Sequence, residues 1–90
     1  MLSEIEFANR TDQKKTLWIE PNCIEFSLDA QTEYKISTHG KFFRIEFDKD
    51  DFIVFYLQYS FGFKLYKRST SKEAINPNEW RLDQDMSEIN

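Results

Sequence analysis

The stretch Phe52-Ile53-Val54-Phe55-Tyr56-Leu57-Gln58-Tyr59 decides the fold of this chain. Every residue in it except Gln58 has an apolar body, and most of them favour extended backbone. Successive side chains of a strand point to opposite faces, so this run has two apolar faces rather than one. A strand of that kind has to be covered on both sides, and the stretch therefore predicts a central β-strand.

Six other short segments alternate between apolar and polar residues, as half-buried strands do. They lie near residues 3–8, 16–20, 23–28, 33–38, 41–47 and 63–68. Turn-forming residues separate them, and no helical period occurs before residue 69. The pattern predicts an all-β domain: an antiparallel β-sandwich, or a sandwich-like small barrel, of about seven short strands.

Two hairpins are predicted in the middle of the chain. Residues 41–47 and 52–59 should be antiparallel neighbours, because only a short acidic turn separates them. His39-Gly40 should form a tight turn between 33–38 and 41–47, with the glycine at positive φ. In the strand 41–47, one face is predicted to join the core and consists of Phe43, Ile45 and Phe47.

Beyond residue 68 the composition changes. Residues 1–68 are predicted to be the β domain, and residues 69–90 an acidic C-terminal tail with a short helical or irregular structure. Thr70 and Glu73 have the spacing of a helix capping box. Trp80 is expected to dock the tail on the domain, and the residues after about Asp83 are expected to fray.

No motif in the chain predicts a catalytic site, a metal site or a bound cofactor. Cys23 is expected to be a small buried or edge residue, and His39 an exposed turn residue. The acidic turn around Asp48, Asp50 and Asp51 lacks the regular ligand spacing of a calcium loop. An enzyme with a pocket near Cys23 or His39 is left as an alternative.

Binding of another protein is the leading functional hypothesis. If one face of the strand 41–47 joins the core, the opposite face presents rings interspersed with cations, which is the composition of interface anchors. The neighbouring segment 63–68 is expected to extend the same surface. The candidate partner-binding residues are Phe42, Arg44, Lys64, Tyr66 and Arg68. The hypothesis is a non-catalytic module of the inhibitor or immunity type.

A single-stranded nucleic-acid-binding barrel is the other alternative. The string Tyr59-Ser60-Phe61-Gly62-Phe63-Lys64 has the rings and glycine of base-stacking strands. Such barrels also carry a surplus of cations, whereas this chain has a net charge of −4. Nucleic acid is therefore not expected as the partner.

The compartment and the assembly follow from simpler features. Cys23 is the only cysteine, and the first residues lack the basic and apolar regions of a secretory signal. No apolar run approaches the roughly 20 residues of a membrane-spanning helix. These features predict a cytoplasmic protein without a membrane partner. A homodimer through an exposed edge strand, such as the first strand, is left open.

Residues 9–21, a polar turn that leads into Leu17-Trp18-Ile19-Glu20-Pro21, are followed by alternating strands up to Arg68. In this arrangement the chain resembles small bacterial all-β proteins of uncharacterised function. The resemblance implies a β fold and a bacterial source, and it carries no catalytic residues.

Overall fold

The computed structural model describes residues 2–40, 42–49, 51–57, 62–69 and 79–86. These residues form eight β-strands and contain no helix, so the all-β prediction is confirmed. The strands are β1 (Ser3–Asn9), β2 (Lys15–Glu20), β3 (Ile24–Leu28), β4 (Thr32–Thr38), β5 (Phe43–Asp48), β6 (Phe52–Leu57), β7 (Phe63–Ser69) and β8 (Arg81–Met86). None of the described residues belongs to a helix long and apolar enough to cross a membrane.

The strands form two four-stranded sheets that pack as a sandwich. Sheet I has the order β1-β4-β7-β8 and is antiparallel throughout. Sheet II has the order β3-β2-β6-β5. The chain changes sheet between β1 and β2, between β3 and β4, between β4 and β5, and between β6 and β7. Sequential strands are therefore often in different layers.

Strand β6 lies inside sheet II, as its two apolar faces predict. Its antiparallel pairing with β5 is confirmed, with Ile45 opposite Phe55. Its other neighbour is β2, which runs parallel to it with Leu17 opposite Ile53. This parallel pair departs from the antiparallel expectation. The chain reaches β6 from β2 through β3, through β4 in sheet I and through β5, so β2 and β6 are not joined by a hairpin and can run in the same direction.

The core lies between the two sheets and takes alternate side chains from both. It contains Leu17, Ile19, Phe26, Leu28, Tyr34, Ile36, Phe55, Leu57, Phe63 and Leu65. An edge-on contact between Phe26 and Phe63, with ring centroids 5.9 Å apart, joins β3 of sheet II to β7 of sheet I. Burial of these side chains is the main force that holds the sheets together.

The hairpin predicted at His39-Gly40 is wrong. Strand β4 pairs with β1 and β7 in sheet I, whereas β5 belongs to sheet II. No described glycine has a positive φ; that conformation occurs instead at Cys23, Gln31 and Lys49, in the other turns. His39 is exposed as expected, and Gly40 is buried where the chain passes between the layers.

The C-terminal segment also differs from its prediction. Residues 81–86 form β8, which pairs with β7 at the edge of sheet I with a register shift next to Leu65. The structure therefore has an eighth strand where an irregular or helical tail was expected. The exposed edge of β7 supplies the hydrogen-bonding groups that order this polar segment. The capping box at Thr70 and Glu73 lies outside the described residues.

The prediction that the whole face Phe43, Ile45 and Phe47 of β5 joins the core is wrong at two of its three positions. Phe43 packs against the core, with its ring 5.9 Å from that of Phe55. Ile45 is 47% exposed and Phe47 is 83% exposed. These two side chains point to the core side of sheet II, but sheet I does not extend far enough to cover them.

Candidate functional site

The uncovered part of β5 forms one wall of an apolar cleft, which we call the β1–β5 cleft. Its opposite wall comes from the end of β1 in sheet I, and its floor comes from β2, β3 and β6. The cavity has a volume of about 280 Å³. The apolar side chains that line it include Phe7, Leu28, Ile45, Phe47, Phe52 and Ile53.

This volume indicates what kind of group the cleft can hold. Cavities that enclose a whole drug-sized ligand or cofactor span roughly 300–1,000 Å³. The β1–β5 cleft lies just below that range and has the space of roughly nine water molecules. It suits one or two large apolar side chains better than a complete cofactor.

The charged residues among the described lining of the cleft are all basic. Arg10, Lys15 and Lys49 contribute to its lining, and we call them the cationic rim. No carboxylate is among the described residues that line the cleft. Arg10 also contacts Glu33 of sheet I at 3.2 Å, which directs its guanidinium toward the outer side of that sheet. Glu33 therefore compensates part of the charge of Arg10, one of the three basic residues that line the cleft.

Asn9 holds the loop that supplies part of the cationic rim. It is buried at the end of β1, and its amide group donates to the carbonyl oxygens of Gln13, Leu28 and Asp29 at 2.9, 3.2 and 3.1 Å. Its side-chain oxygen accepts from the backbone N–H and the hydroxyl of Thr11. One side chain thus satisfies groups in β3 and in the loop 10–14.

The second face of β6 is covered by neighbours in its own sheet. Val54 points away from the core, yet it is only 8% exposed because Trp18 and Glu46 lie directly opposite it on the two adjacent strands. The Trp18 Nε1 donates to Glu20 at 2.5 Å, which fixes the indole. Among the described residues no third layer lies over this face. Tyr56 remains exposed, and a hydrogen bond with Glu46 raises its pKa.

The structure separates the predicted partner-binding residues into two groups. Phe42 and Arg44 lie at or beside β5 in sheet II, whereas Lys64, Tyr66 and Arg68 lie on β7 in sheet I. The two groups therefore share no surface. The expectation assumed that β7 continues the sheet of β5 and β6, but the chain changes layer after β6. Binding of a partner by either group stays a prediction.

The β7 group forms part of a charged and aromatic network on the outer face of sheet I. Lys35 lies 4.9 Å from the ring centroid of Tyr66 and 5.1 Å from that of Trp80, and Arg68 lies 4.2 Å from the Trp80 centroid. Lys35 and Arg68 also pair with carboxylates of β1 and β4. These side chains hold Trp80 and the strand that follows it against sheet I.

Cys23 is exposed, so burial, one of the two expected placements, is wrong; the residue directly precedes β3, an edge strand of sheet II. It lies in the β2–β3 turn with a φ of 57°, and its Sγ is 3.6 Å from Glu20. Desolvation and the Glu20 carboxylate raise the pKa of the thiol, which opposes formation of a nucleophilic thiolate.

His39 lies beside a separate open depression of about 540 Å³, which is lined also by Thr38, Phe63, Lys64 and Tyr66. The described lining residues of this depression include no thiol and no carboxylate, and Cys23 is not among them. Nor does any group of three His, Cys, Asp or Glu side chains among the described residues have the geometry to hold a metal ion.

Half of the aromatic string that suggests base stacking, residues 59–61, lies outside the described residues. Of that string, Gly62, Phe63 and Lys64 are described, and Phe63 is buried in the core rather than presented to solvent. One of the rings on which the nucleic-acid alternative rests is therefore occupied by packing.

Comparisons of the chain with protein-family models, with curated proteins and with solved structures give no match. The resemblance to small bacterial all-β proteins accordingly stays a prediction.

Sequence reasoning missed the β1–β5 cleft because its walls come from distant parts of the chain. The alternation of apolar and polar residues identifies the apolar face of β5 but predicts that this whole face joins the core. The cations of the rim lie in two separate turns, Arg10 and Lys15 flanking one and Lys49 in the other. A possible signal is that both turns join strands whose apolar faces should meet at the same end of the sandwich.

Proposed function

We propose that this protein is a non-catalytic binding module that takes an apolar segment of another protein into the β1–β5 cleft. The observation that carries the proposal is the exposure of Phe47, at 83%, on the core-facing side of a sheet. A large ring left there loses the free energy that its burial would supply, about 2 kcal/mol. A partner that covers it recovers this free energy as affinity.

The basic residues that line the cleft indicate which charge a partner should carry. An apolar side chain would fill the cavity, and an adjacent Asp or Glu would meet the cationic rim. Electrostatic complementarity of this kind speeds association and selects the partner more than it adds affinity. The specific role that we propose is that of an inhibitor or immunity-type protein in a bacterial cytoplasm. Such small proteins act by covering a surface of their target.

Selection from a random-peptide phage library on the purified protein tests the proposal. We expect enrichment of peptides in which one or two large apolar residues lie next to Asp or Glu. A synthetic copy of an enriched peptide should bind the variant Ile45→Asp at least roughly tenfold more weakly than the unchanged protein, because the substitution places a carboxylate in the apolar wall.

The matched control is Leu82→Asp. Leu82 is 53% exposed, close to the exposure of Ile45, but it lies on β8 of sheet I. Equal binding of the peptide by the two variants would show that the cleft is not the binding site. Affinity capture from the native host with the same three proteins then identifies the partner, which Ile45→Asp should lose and Leu82→Asp should retain.

A further inference from the structure

The residues of β5 have a self-complementary order. Phe43-Arg44-Ile45-Glu46-Phe47 reads as ring, cation, aliphatic, anion, ring, so its reverse has the same pattern with the two charges exchanged. The alternation of a strand places the three apolar side chains on one face and the two charged ones on the other. In the structure Arg44 and Glu46 do lie together on the outer face, 3.0 Å apart.

Strand β5 is also an open edge. It is the last strand of sheet II among the described residues, with β6 on one side and no described strand on the other. An edge strand with exposed apolar side chains is a template for pairing with another strand. Ile45 and Phe47 are such side chains.

We propose that two copies of this chain associate through β5, paired antiparallel about a two-fold axis at Ile45. In that register Arg44 faces Glu46 of the second copy, and Glu46 faces Arg44 of the second copy. The two copies of Ile45 lie opposite each other, and Phe43 lies opposite Phe47 of the second copy. A two-fold interface uses the same patch twice, so every pair except the one between the two copies of Ile45 on the axis is formed two times.

Strand β1, an edge strand of sheet I, does not have a self-complementary order of charges. In β1 the register centred on Ile5 places Glu4 opposite Glu6 of the second copy, which is a repulsive pair formed twice. The apolar residues of β1 that face the core, Ile5 and Phe7, already pack against it. The geometry therefore points to β5 rather than to the first strand.

Association through β5 goes beyond the proposed binding function and is compatible with it. The dimer uses the backbone edge of β5, the charged pairs of its outer face and the apolar pairs of its core-side face. Ile45 and Phe47 on that core-side face also line the β1–β5 cleft, whereas Arg44 and Glu46 belong to the dimer contact alone. The antiparallel pair places the two core-side faces next to each other, so the two clefts become neighbours on one side of a continuous eight-stranded sheet.

Charge reversal at Arg44 and Glu46 tests the dimer. Sedimentation velocity over a concentration series from micromolar to millimolar should show a monomer–dimer equilibrium for the unchanged protein. Arg44→Glu alone and Glu46→Arg alone should each weaken the association at least roughly tenfold, because both attractive pairs become repulsive. The double variant R44E/E46R should restore it, because the exchanged charges again face their opposites.

A mixture of the two single variants gives an independent result. In the mixed pair, two glutamates of one copy face two arginines of the other, so we expect a heterodimer that is tighter than the homodimer of either variant alone. Lys14→Glu, which makes the same charge change as Arg44→Glu at an exposed loop position, should leave the association unchanged. Equal urea midpoints for all variants, measured at a concentration low enough that the monomer predominates, show that folding is unaffected.

Two results would overturn the proposal. One is a protein that remains monomeric at millimolar concentration. The other is a dimer whose dissociation constant is the same in R44E as in the unchanged protein, which would place the interface elsewhere. Neither Arg44 nor Glu46 lines the β1–β5 cleft, so peptide binding measured on R44E reports on the proposed function separately.

Discussion

Replacement of Tyr34 by phenylalanine removes one hydroxyl from the centre of the sandwich. Tyr34 is 1% exposed, and its hydroxyl oxygen accepts a hydrogen bond of 2.7 Å from the backbone N–H of Asp29 in the turn between the sheets. Its ring stacks on Phe7, with centroids 5.8 Å apart, and phenylalanine keeps that contact. We expect Y34F to lower the free energy of unfolding at neutral pH by about 1–3 kcal/mol, because the N–H loses its partner.

The same hydroxyl makes stability depend on alkaline pH. Burial, with a smaller contribution from the carboxylates of Asp29 and Asp83, raises the pKa of Tyr34 from 10 to about 12. Below pH 10 the phenol is protonated in the folded and the unfolded chain alike. Between pH 10 and about pH 12 the unfolded chain loses the proton first, so the free energy of unfolding falls across this window by roughly 3 kcal/mol in all.

Urea unfolding followed by tryptophan fluorescence at a series of pH values measures both effects. The unchanged protein should be more stable than Y34F at pH 8, and this advantage should shrink as the pH rises through the window of the Tyr34 pKa. Tyr56→Phe is the matched control, since Tyr56 is exposed and its loss at neutral pH should be small. Equal stability of Y34F and the unchanged protein at pH 8, with parallel alkaline slopes, would refute the role assigned to the hydroxyl.

Three further predictions use the same unfolding assay. Asn9→Ala should cost about 2–3 kcal/mol, because three backbone carbonyl groups lose their donor, and a cost below about 0.5 kcal/mol would show that water replaces it. Phe47→Ala should change the free energy of unfolding by less than about 0.5 kcal/mol, whereas Leu65→Ala, at a position that is 0% exposed, should lower it by about 2–5 kcal/mol. Similar losses for the two variants would show that Phe47 is buried in the core. Trp80→Ala should cost about 1–2 kcal/mol through its two cation–π contacts, and Leu82→Ala on the same segment should cost less.

Alternation along the chain was sufficient to predict the strands of the first 69 residues and the face that each presents. Leu17 and Ile19 on β2, and Ile53, Phe55 and Leu57 on β6, point to the core as their period of two requires. Periodicity is a local property, because it follows from the backbone geometry of each strand alone.

The alternation of apolar and polar residues does not show which strands pair with each other. His39-Gly40 has the residues of a hairpin turn, but β4 finds its partners in β1 and β7. The segment 81–86 is too polar to predict a strand, and it becomes one because β7 offers an unpaired edge. Both errors concern pairing over long distances in the sequence, where the surrounding structure overrides local preference.

The sequence does not predict the β1–β5 cleft, for a related reason. The period of two shows that Ile45 and Phe47 point to the core side of their sheet, but it carries no information on how far the opposing sheet extends. Whether an inward-facing side chain is buried depends on β1, which is on the other layer. A cleft between two layers is therefore visible only when the relative position of the sheets is known.

Strand β5 presents three surfaces that face different directions: its core-side face, its outer face and its free backbone edge. Substitutions on the different faces can therefore distinguish peptide binding from dimerisation. Ile45 and Phe47 form one wall of the β1–β5 cleft, Arg44 and Glu46 lie on the outer face, and the free backbone edge lies in the plane of the sheet. A substitution on the core-side face, such as Ile45→Asp, changes the cleft and also the apolar contacts of the dimer. A substitution on the outer face, such as Arg44→Glu, changes the dimer alone. Two results together would show that both surfaces function independently. The variant R44E should lose association but keep peptide binding, and the monomeric variant Ile45→Asp should lose peptide binding.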